Sequence, residues 1–156
     1  MAIVFEDFLM TTPLPHQAFV SELHKKLTEN GCKFEIKSAK NGYVVSYRWD
    51  NKTIMNWVFR KSGILARIYG DNVNRYEAVI EELPESMHKI MTGASDCKQL
   101  QNPPQCNSTC VKGMIFHIDG DIHKKCRYNG MFFPLSKETE RYIEKLIFSE
   151  LSVRQA

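Results

Sequence analysis

Four of the five cysteines lie close together in the second half of the chain, and their thiols are the side chains best suited to chemistry. Cys97, Cys106 and Cys110 lie in SDCKQLQNPPQCNSTC, and Cys126 follows in HKKCRY. The spacing C-x8-C-x3-C-x15-C lacks the paired CxxC of the commonest zinc motifs. Four thiolates nevertheless complete the tetrahedral shell of a structural zinc ion. We therefore predict a structural four-cysteine zinc site at Cys97, Cys106, Cys110 and Cys126.

The segment that carries three of these cysteines lacks the apolar side chains needed to order itself. Residues 92–113 are rich in Gly, Ser, Asn, Pro and Thr and show no apolar period. A stretch of this length without structure is unusual inside a compact domain, and it calls for a function or an ordering agent. Zinc binding by thiolates contributes on the order of 10 kcal/mol or more, so a metal ion would supply that order.

A predicted hairpin brings the fourth cysteine back to the third. Asp119-Gly120 is typical of a tight two-residue turn, which makes opposing residue numbers sum to 239. Cys126 then lies across from Gly113, three residues after Cys110. In this register His117 faces Ile122, about 13 Å from Cys126 at roughly 3.3 Å per residue, and His123 points to the other side of the strand. We expect neither histidine to be a metal ligand.

Two other states of the cysteines stay open. The thiols could be free and unlinked, or they could form disulfides or a reactive pair such as Cys110/Cys126 with His117 or His123. The second reading would make the protein a small enzyme or thiol-redox protein, but no CxxC motif and no third orienting group accompany the pair. Dinucleotide, P-loop, zinc-protease and serine-hydrolase motifs are also missing from the sequence, so we lean towards a non-enzymatic protein.

A second candidate site lies in YRWDNKTIMNWVFRK, where aromatic and basic residues are interleaved. Together they could stack bases and neutralise phosphates on one face of a sheet; they are Tyr47, Arg48, Trp49, Trp57 and Arg60. Simple alternation in a sheet with one buried and one solvated face explains the same pattern. The formal net charge of +3 and the pI near 8.6 are low for a dedicated nucleic-acid binder, so this reading is an alternative.

The first half of the chain predicts a helix followed by an antiparallel sheet. Apolar residues recur at helical spacing between Pro15 and Gly31, which predicts an amphipathic helix over 15–30. Alternating apolar residues and the turn signals Asn41-Gly42 and Lys61-Ser62-Gly63 then predict a four-stranded meander.

The second half predicts two helices, a hairpin and a last helix. A helical period begins at Asn72, and Pro84 ends the first helix and opens a short second one. Met131–Pro134 is expected to add a third strand to the hairpin at Asp119-Gly120. Ser136 is a predicted N-cap for the C-terminal helix. Helices and sheet are therefore segregated, and the predicted class is α+β.

The length of 156 residues is that of one domain with a real core. We predict a single domain over 1–156, with two closely packed lobes, 1–83 and 84–156, as the variant. The sequence has no apolar run long enough to cross a bilayer and no secretory signal at its start, which predicts a cytoplasmic protein away from the membrane. A small molecule or another protein is the expected partner; the sequence predicts no particular ligand or oligomeric state.

The stretch from CKQL through CNSTCVKGMIFHIDG to KCRYNGMFFPLS resembles the C-terminal half of small uncharacterised bacterial proteins with the same cysteine signature. The resemblance covers residues 96–150 and implies that the four cysteines act as one unit. It implies no activity. The N-terminal helix and meander are more distantly similar to small bacterial α+β binding domains. Cys32 stands apart from the signature, and we expect it to be a buried small hydrophobe.

Overall fold

The computed structural model describes residues 2–100 and 113–156. It confirms the α+β class: helices lie around an antiparallel sheet. In chain order the elements are α1 Phe5–Thr11, α2 Leu14–Glu29, β1 Lys33–Ala39, β2 Gly42–Trp49, β3 Lys52–Arg60, β4 Gly63–Ile68, α3 Glu77–Glu81, α4 Glu85–Gly93, β5 Met114–Ile118, β6 Asp121–Lys125, β7 Phe132–Pro134 and α5 Glu140–Gln155. Short 3₁₀ turns precede α3 and follow α4.

The main sheet has five strands in the order β1-β2-β3-β4-β7, and every neighbouring pair is antiparallel. The predicted meander therefore forms. Its first turn is centred on Lys40 and Asn41, one residue earlier than the Asn-Gly signal indicates, because Ala39 already pairs with Gly42. Gly42 has φ of 145°, and the ring of Phe59 covers the space that a Cβ atom would need. Glycine is thus required there by packing as well as by conformation.

One face of this sheet is buried under helices. Neighbouring strands place their inward side chains in register, as in Tyr47 opposite Met55 and Trp57 opposite Ala66. The rings of Phe8 on α1 and Phe19 on α2 both lie 6.5 Å from the Trp57 ring. Buried residues of α5 join the same core. The inward face comprises Val45, Tyr47, Met55, Trp57, Phe59, Ile64, Ala66, Ile68 and Phe133, all buried.

The β5–β6 hairpin forms in the register that the sequence predicts, with Met114 opposite Lys125 and Ile118 opposite Asp121. Asp119 and Gly120 have φ of 52° and 84°, so both turn residues take the left-handed conformation of a type I′ turn. Met114, Phe116 and Ile118 are buried in the same apolar cluster as the main sheet.

Three details differ from the sequence-based expectations. Helix α1 was not anticipated; its backbone N–H at Val4 is satisfied by the Asp7 carboxylate at 2.9 Å. Strand β7 pairs with β4 of the main sheet and not with the hairpin. The Ser136 hydroxyl accepts a hydrogen bond from the Thr139 amide at 3.2 Å, as a cap does, but the regular helix begins only at Glu140.

The two halves of the chain share their packing. Strand β7 extends the sheet of the first half, and α5 packs against β3 and β4. Buried residues from both halves form one apolar cluster. Within residues 2–100 and 113–156, no helix is long and apolar enough to cross a membrane.

Candidate functional site

Cys97 and Cys126 come together on a short extension of the β5–β6 hairpin. The Cys97 amide donates to the Lys124 carbonyl at 2.9 Å, and the Cys126 amide donates to the Ser95 carbonyl at 2.7 Å. Between them Asp96 pairs with Lys125 as an isolated antiparallel bridge. Cys97 and Cys126 are therefore diagonal neighbours on one face of the ladder, a relation that places side chains about 7–8 Å apart. The sequence signal for this bridge is weak, because it extends over a single residue pair.

Gly113 packs directly on Cys97. Its amide donates a hydrogen bond to Cys97 Sγ at 3.1 Å. A Cβ atom on Gly113 would lie 2.8 Å from Cys97 Cβ and 2.9 Å from Cys97 Sγ, and it would also collide with the Lys125 carbonyl oxygen. Only glycine fits at this position. The hairpin register thus brings Gly113, Cys97 and Cys126 into one neighbourhood.

The other two predicted ligands, Cys106 and Cys110, lie outside the described residues. Cys97 is buried, Cys126 is partly buried, and both are free thiols. In the two ranges that the structure covers, no group of three or more His, Cys, Asp or Glu side chains could hold a metal ion. Because half of the predicted ligand set falls in the gap between those ranges, the four-cysteine site stays a prediction.

Cations flank the cysteines in the sequence, among them Lys98, Lys124, Lys125 and Arg127, but two of these four already have carboxylate partners. Lys125 Nζ lies 2.8 Å from Asp96 Oδ1, and this hydrogen bond and charge lower the pKa of the Asp96 carboxyl. Arg127 bonds Asp71 at 2.7 and 3.2 Å. The positive charge available to a thiolate cluster is therefore smaller than a count of nearby Lys and Arg residues implies.

The two nearby histidines are engaged elsewhere. His117 lies opposite Ile122 and its Nδ1 is 2.9 Å from a Glu77 carboxylate oxygen. The His123 ring stacks on Phe116 with 5.6 Å between ring centroids. Among the described hydrogen bonds, none joins either imidazole to a cysteine sulfur.

The five residues of the second candidate site do not share a surface. Tyr47 and Trp57 are fully buried on the helix-covered face, and Trp49 packs partly buried against the core. Arg48 and Arg60 are exposed on the opposite, outer face. Consecutive strand residues alternate between faces, so residues 47, 48 and 49 cannot all point the same way. Base stacking on Tyr47 or Trp57 is excluded by their burial.

The outer face instead carries basic and aromatic residues from strands that are far apart in sequence. The guanidinium carbon of Arg67 lies 4.5 Å from the Phe132 ring centroid, and that of Arg60 lies 5.7 Å from it. Nearby, Arg127 lies 4.4 Å from the Tyr69 ring, and Tyr69 meets Tyr128 edge-to-face at 5.8 Å. Sequence reasoning missed this group because the pairing of β7 with β4 is nonlocal. The local signal for this group is strand alternation, which places Arg60 of β3 and Arg67 of β4 on the same face of the sheet.

Cys32 lies apart from the other cysteines and is buried, as expected. Burial raises the pKa of its thiol to about 11, with an opposing contribution from the positive charge of Arg154. A thiol with such a pKa is a weak nucleophile near neutral pH. Cys32 therefore serves as an internal reference for the reactivity of the other thiols.

The chain matches no family model, and searches of curated proteins and of solved structures likewise give no match. The geometry of the described residues is thus the basis for any functional proposal.

Proposed function

We propose that this protein is a non-enzymatic binding or regulatory domain of the cytoplasm whose cysteine segment is held by a structural zinc ion. The ligands would be Cys97, Cys106, Cys110 and Cys126. Four cysteine ligands leave no open position for water or substrate, so such an ion organises structure and does not catalyse a reaction.

The observation that carries the proposal is the hydrogen bond from the Gly113 amide to Cys97 Sγ at 3.1 Å. Metal ligands are typically oriented by hydrogen bonds from surrounding groups, and this donor fixes the direction of a buried sulfur. Gly113 follows Cys110 by three residues, so the donor and a second predicted ligand belong to the same short stretch.

The backbone around Cys97 and Cys126 gives further support. The amides of both cysteines are hydrogen-bonded across the isolated Asp96–Lys125 bridge, which ties the Cys97 backbone to the end of strand β6. Ligands on a preformed scaffold bind a metal with less loss of conformational entropy. The bridge would place two of the four ligands, Cys97 and Cys126, near each other before the metal binds.

The test is metal analysis of protein purified without added zinc. We expect about one zinc ion per chain, bound by four protein ligands. The substitutions Cys97→Ser and Cys126→Ser should each lower the zinc content to a small fraction of the wild-type value. Cys32→Ala is the matched control, because it removes a buried thiol outside the predicted site and should leave the zinc content unchanged.

A native protein that contains no zinc, and in which the four clustered thiols react freely with a thiol reagent, would contradict the proposal. That outcome would favour reactive or unlinked cysteines. A low pKa in an alkylation-rate profile of Cys126 would then point to the thiol-redox reading with Cys110.

A further inference from the structure

The outer face of the main sheet carries most of the excess positive charge of the chain. Strand alternation places five cations on it, against the single carboxylate of Glu35. The cations are Lys33, Lys37, Arg48, Arg60 and Arg67. The formal net charge of the entire chain is only +3, so the positive charge is concentrated here. A single-sign patch of this kind attracts a polyanion.

Three of these cations, Lys33, Arg60 and Arg67, are not neutralised by a carboxylate among the described residues. Glu35 lies 3.0 Å from Lys37 and 3.2 Å from Arg48, which leaves that end of the face nearly balanced. Arg60 and Arg67 have no carboxylate within ion-pair distance in the parts of the chain that the structure describes. Arg67 donates through Nε to the Tyr128 carbonyl at 2.8 Å, which orients its guanidinium group.

The unpaired arginines lie beside aromatic rings. Phe132 is partly exposed and lies within 4.5 Å of Arg67 and 5.7 Å of Arg60. Tyr128 is 40% exposed and packs edge-to-face on Tyr69. Flat guanidinium and aromatic groups are surfaces on which unpaired bases stack.

Next to this cluster, the face has a shallow depression of about 380 Å³. It is lined by Glu35, Lys37, Val44, Ser46, Arg48 and Thr53. The polar groups at its edge are held in place: Asn56 Nδ2 donates to Ser46 Oγ at 2.7 Å, and Tyr69 Oη donates to Asn56 Oδ1 at 2.7 Å. The volume is in the range of sites that take small organic groups.

We propose that this outer sheet face binds single-stranded nucleic acid. Arg48, Arg60 and Arg67 contact phosphates, and bases stack at the Phe132 and Tyr128 end. An acidic protein would satisfy the charges but would make no use of the stacking surfaces, and a duplex keeps its bases stacked on one another. Open antiparallel sheets with basic and aromatic outer faces are one general solution to single-strand recognition.

The test is fluorescence anisotropy of a labelled 12-nucleotide uridine oligomer titrated with the full chain at several salt concentrations. We expect saturable binding that weakens with salt, and weaker binding of an abasic oligomer of the same length by at least about tenfold, since stacking is lost. The protein is titrated with the metal content that it has after purification. Binding of the oligomer to the sheet face is therefore measured independently of whether the cysteines hold zinc.

The decisive variant is Arg60→Gln/Arg67→Gln. It should weaken binding at least about tenfold and lower the slope of log affinity against log salt by about 1.4, or 0.7 for each phosphate that the variant no longer neutralises. The double variant Arg75→Gln/Arg141→Gln is the control, because it removes the same charge from exposed positions off the sheet. It should leave the slope unchanged.

Three results would overturn the proposal. The first is no binding of the uridine oligomer at low salt, and the second is equal loss of affinity in the two double variants. The third is equal affinity for the uridine oligomer, the abasic oligomer and polyglutamate, which would identify the face as a docking surface for acidic proteins.

Phe132→Leu supplies a second variant with an apolar side chain at the same position, and it should weaken uridine-oligomer binding without changing the salt slope.

Discussion

Gly113 and Gly93 offer a direct comparison of two glycines with opposite surroundings. A Cβ atom at Gly113 would crowd Cys97 at 2.8 Å and collide with the Lys125 carbonyl, whereas one at Gly93 would meet nothing within 4 Å. We expect Gly113→Ala to lower the free energy of unfolding by about 1–3 kcal/mol, the usual cost of overpacking. Gly93→Ala should leave it unchanged or raise it by up to about 1 kcal/mol. Urea unfolding of both variants measures the difference, and equal effects would contradict the packing at Cys97.

His24 predicts a pH dependence of stability. Its ring stacks on Phe5 at 3.7 Å, and its Nδ1 lies 2.8 Å from the Tyr47 hydroxyl. Burial lowers the pKa of His24 below 6.5, and the opposing charge of Glu6 only partly offsets this. The folded state therefore favours the neutral ring, so its contribution to stability is complete above pH 6.5 and is lost as the pH falls below that value.

The measurement is urea unfolding of the wild type and of His24→Gln at pH 7.5 and at pH 5.5. We expect the wild type to lose more stability than the variant between these two pH values, because only the wild type must charge a buried ring. Parallel losses in the two proteins would show that other groups set the acid sensitivity.

For single residues, the sequence predicts burial and strand pairing correctly where these depend on neighbours close in the chain. The burial of Cys32 and the pairing of His117 with Ile122 follow from composition and from one turn. The sequence does not reveal that Tyr47 and Trp57 lie under helices while Arg48 and Arg60 do not, because alternation separates two faces without saying which one the helices cover.

Among the elements, α5 is tied to the segment just before α3 by one buried carboxylate. Glu150 is fully buried and accepts hydrogen bonds from the Asn72 amide at 3.0 Å, from Tyr76 Oη at 2.7 Å and from Arg154 Nε at 2.8 Å. Desolvation by burial raises the pKa of the Tyr76 hydroxyl, and the negative charge of Glu150 raises it further. The carboxylate thus joins α5 to the segment 72–76.

We expect Glu150→Leu to lower the free energy of unfolding by about 3 kcal/mol or more, because it leaves the Tyr76 hydroxyl without its acceptor and Arg154 with one fewer buried partner. Glu144→Gln on the same helix is the control. Its ion pair with Lys26 is 3.1 Å long and largely solvated, so its loss should cost less than about 1 kcal/mol. Chemical denaturation measures both, and similar costs would show that the buried network does not stabilise the fold.

Element prediction succeeded where partners are close in sequence. The β5–β6 register follows from two residues that adopt positive φ, and it needs no tertiary information. Strand β7 is three residues long and pairs with β4 across more than sixty residues of sequence, so only the folded core determines its position. The cluster of Arg60, Arg67 and Phe132 depends on that pairing and was therefore invisible in the sequence.

At the scale of the whole molecule, the chain folds its sheet from both halves. The meander comes from the first half, β7 and α5 come from the second, and the buried apolar residues of both halves are in contact. Helices cover one face of this sheet; on the other face Asn56 and Val58 of the middle strand are buried, and the exposed Arg48 and Arg60 offer a surface for binding. The sequence predicts the α+β class. Whether the chain unfolds as one cooperative unit or as two lobes depends on how strongly contacts between its two halves stabilise each half.

The tryptophans allow that choice to be tested. Both tryptophans, Trp49 and Trp57, belong to the first half, whereas Leu146 is a fully buried residue of α5 in the second. Leu146→Ala should lower the free energy of unfolding by about 2–5 kcal/mol. If the chain is one cooperative unit, the midpoint seen by tryptophan fluorescence shifts as far as the midpoint seen by far-ultraviolet circular dichroism. A fluorescence midpoint that stays at its wild-type value would mean that residues 1–83 unfold as a lobe of their own.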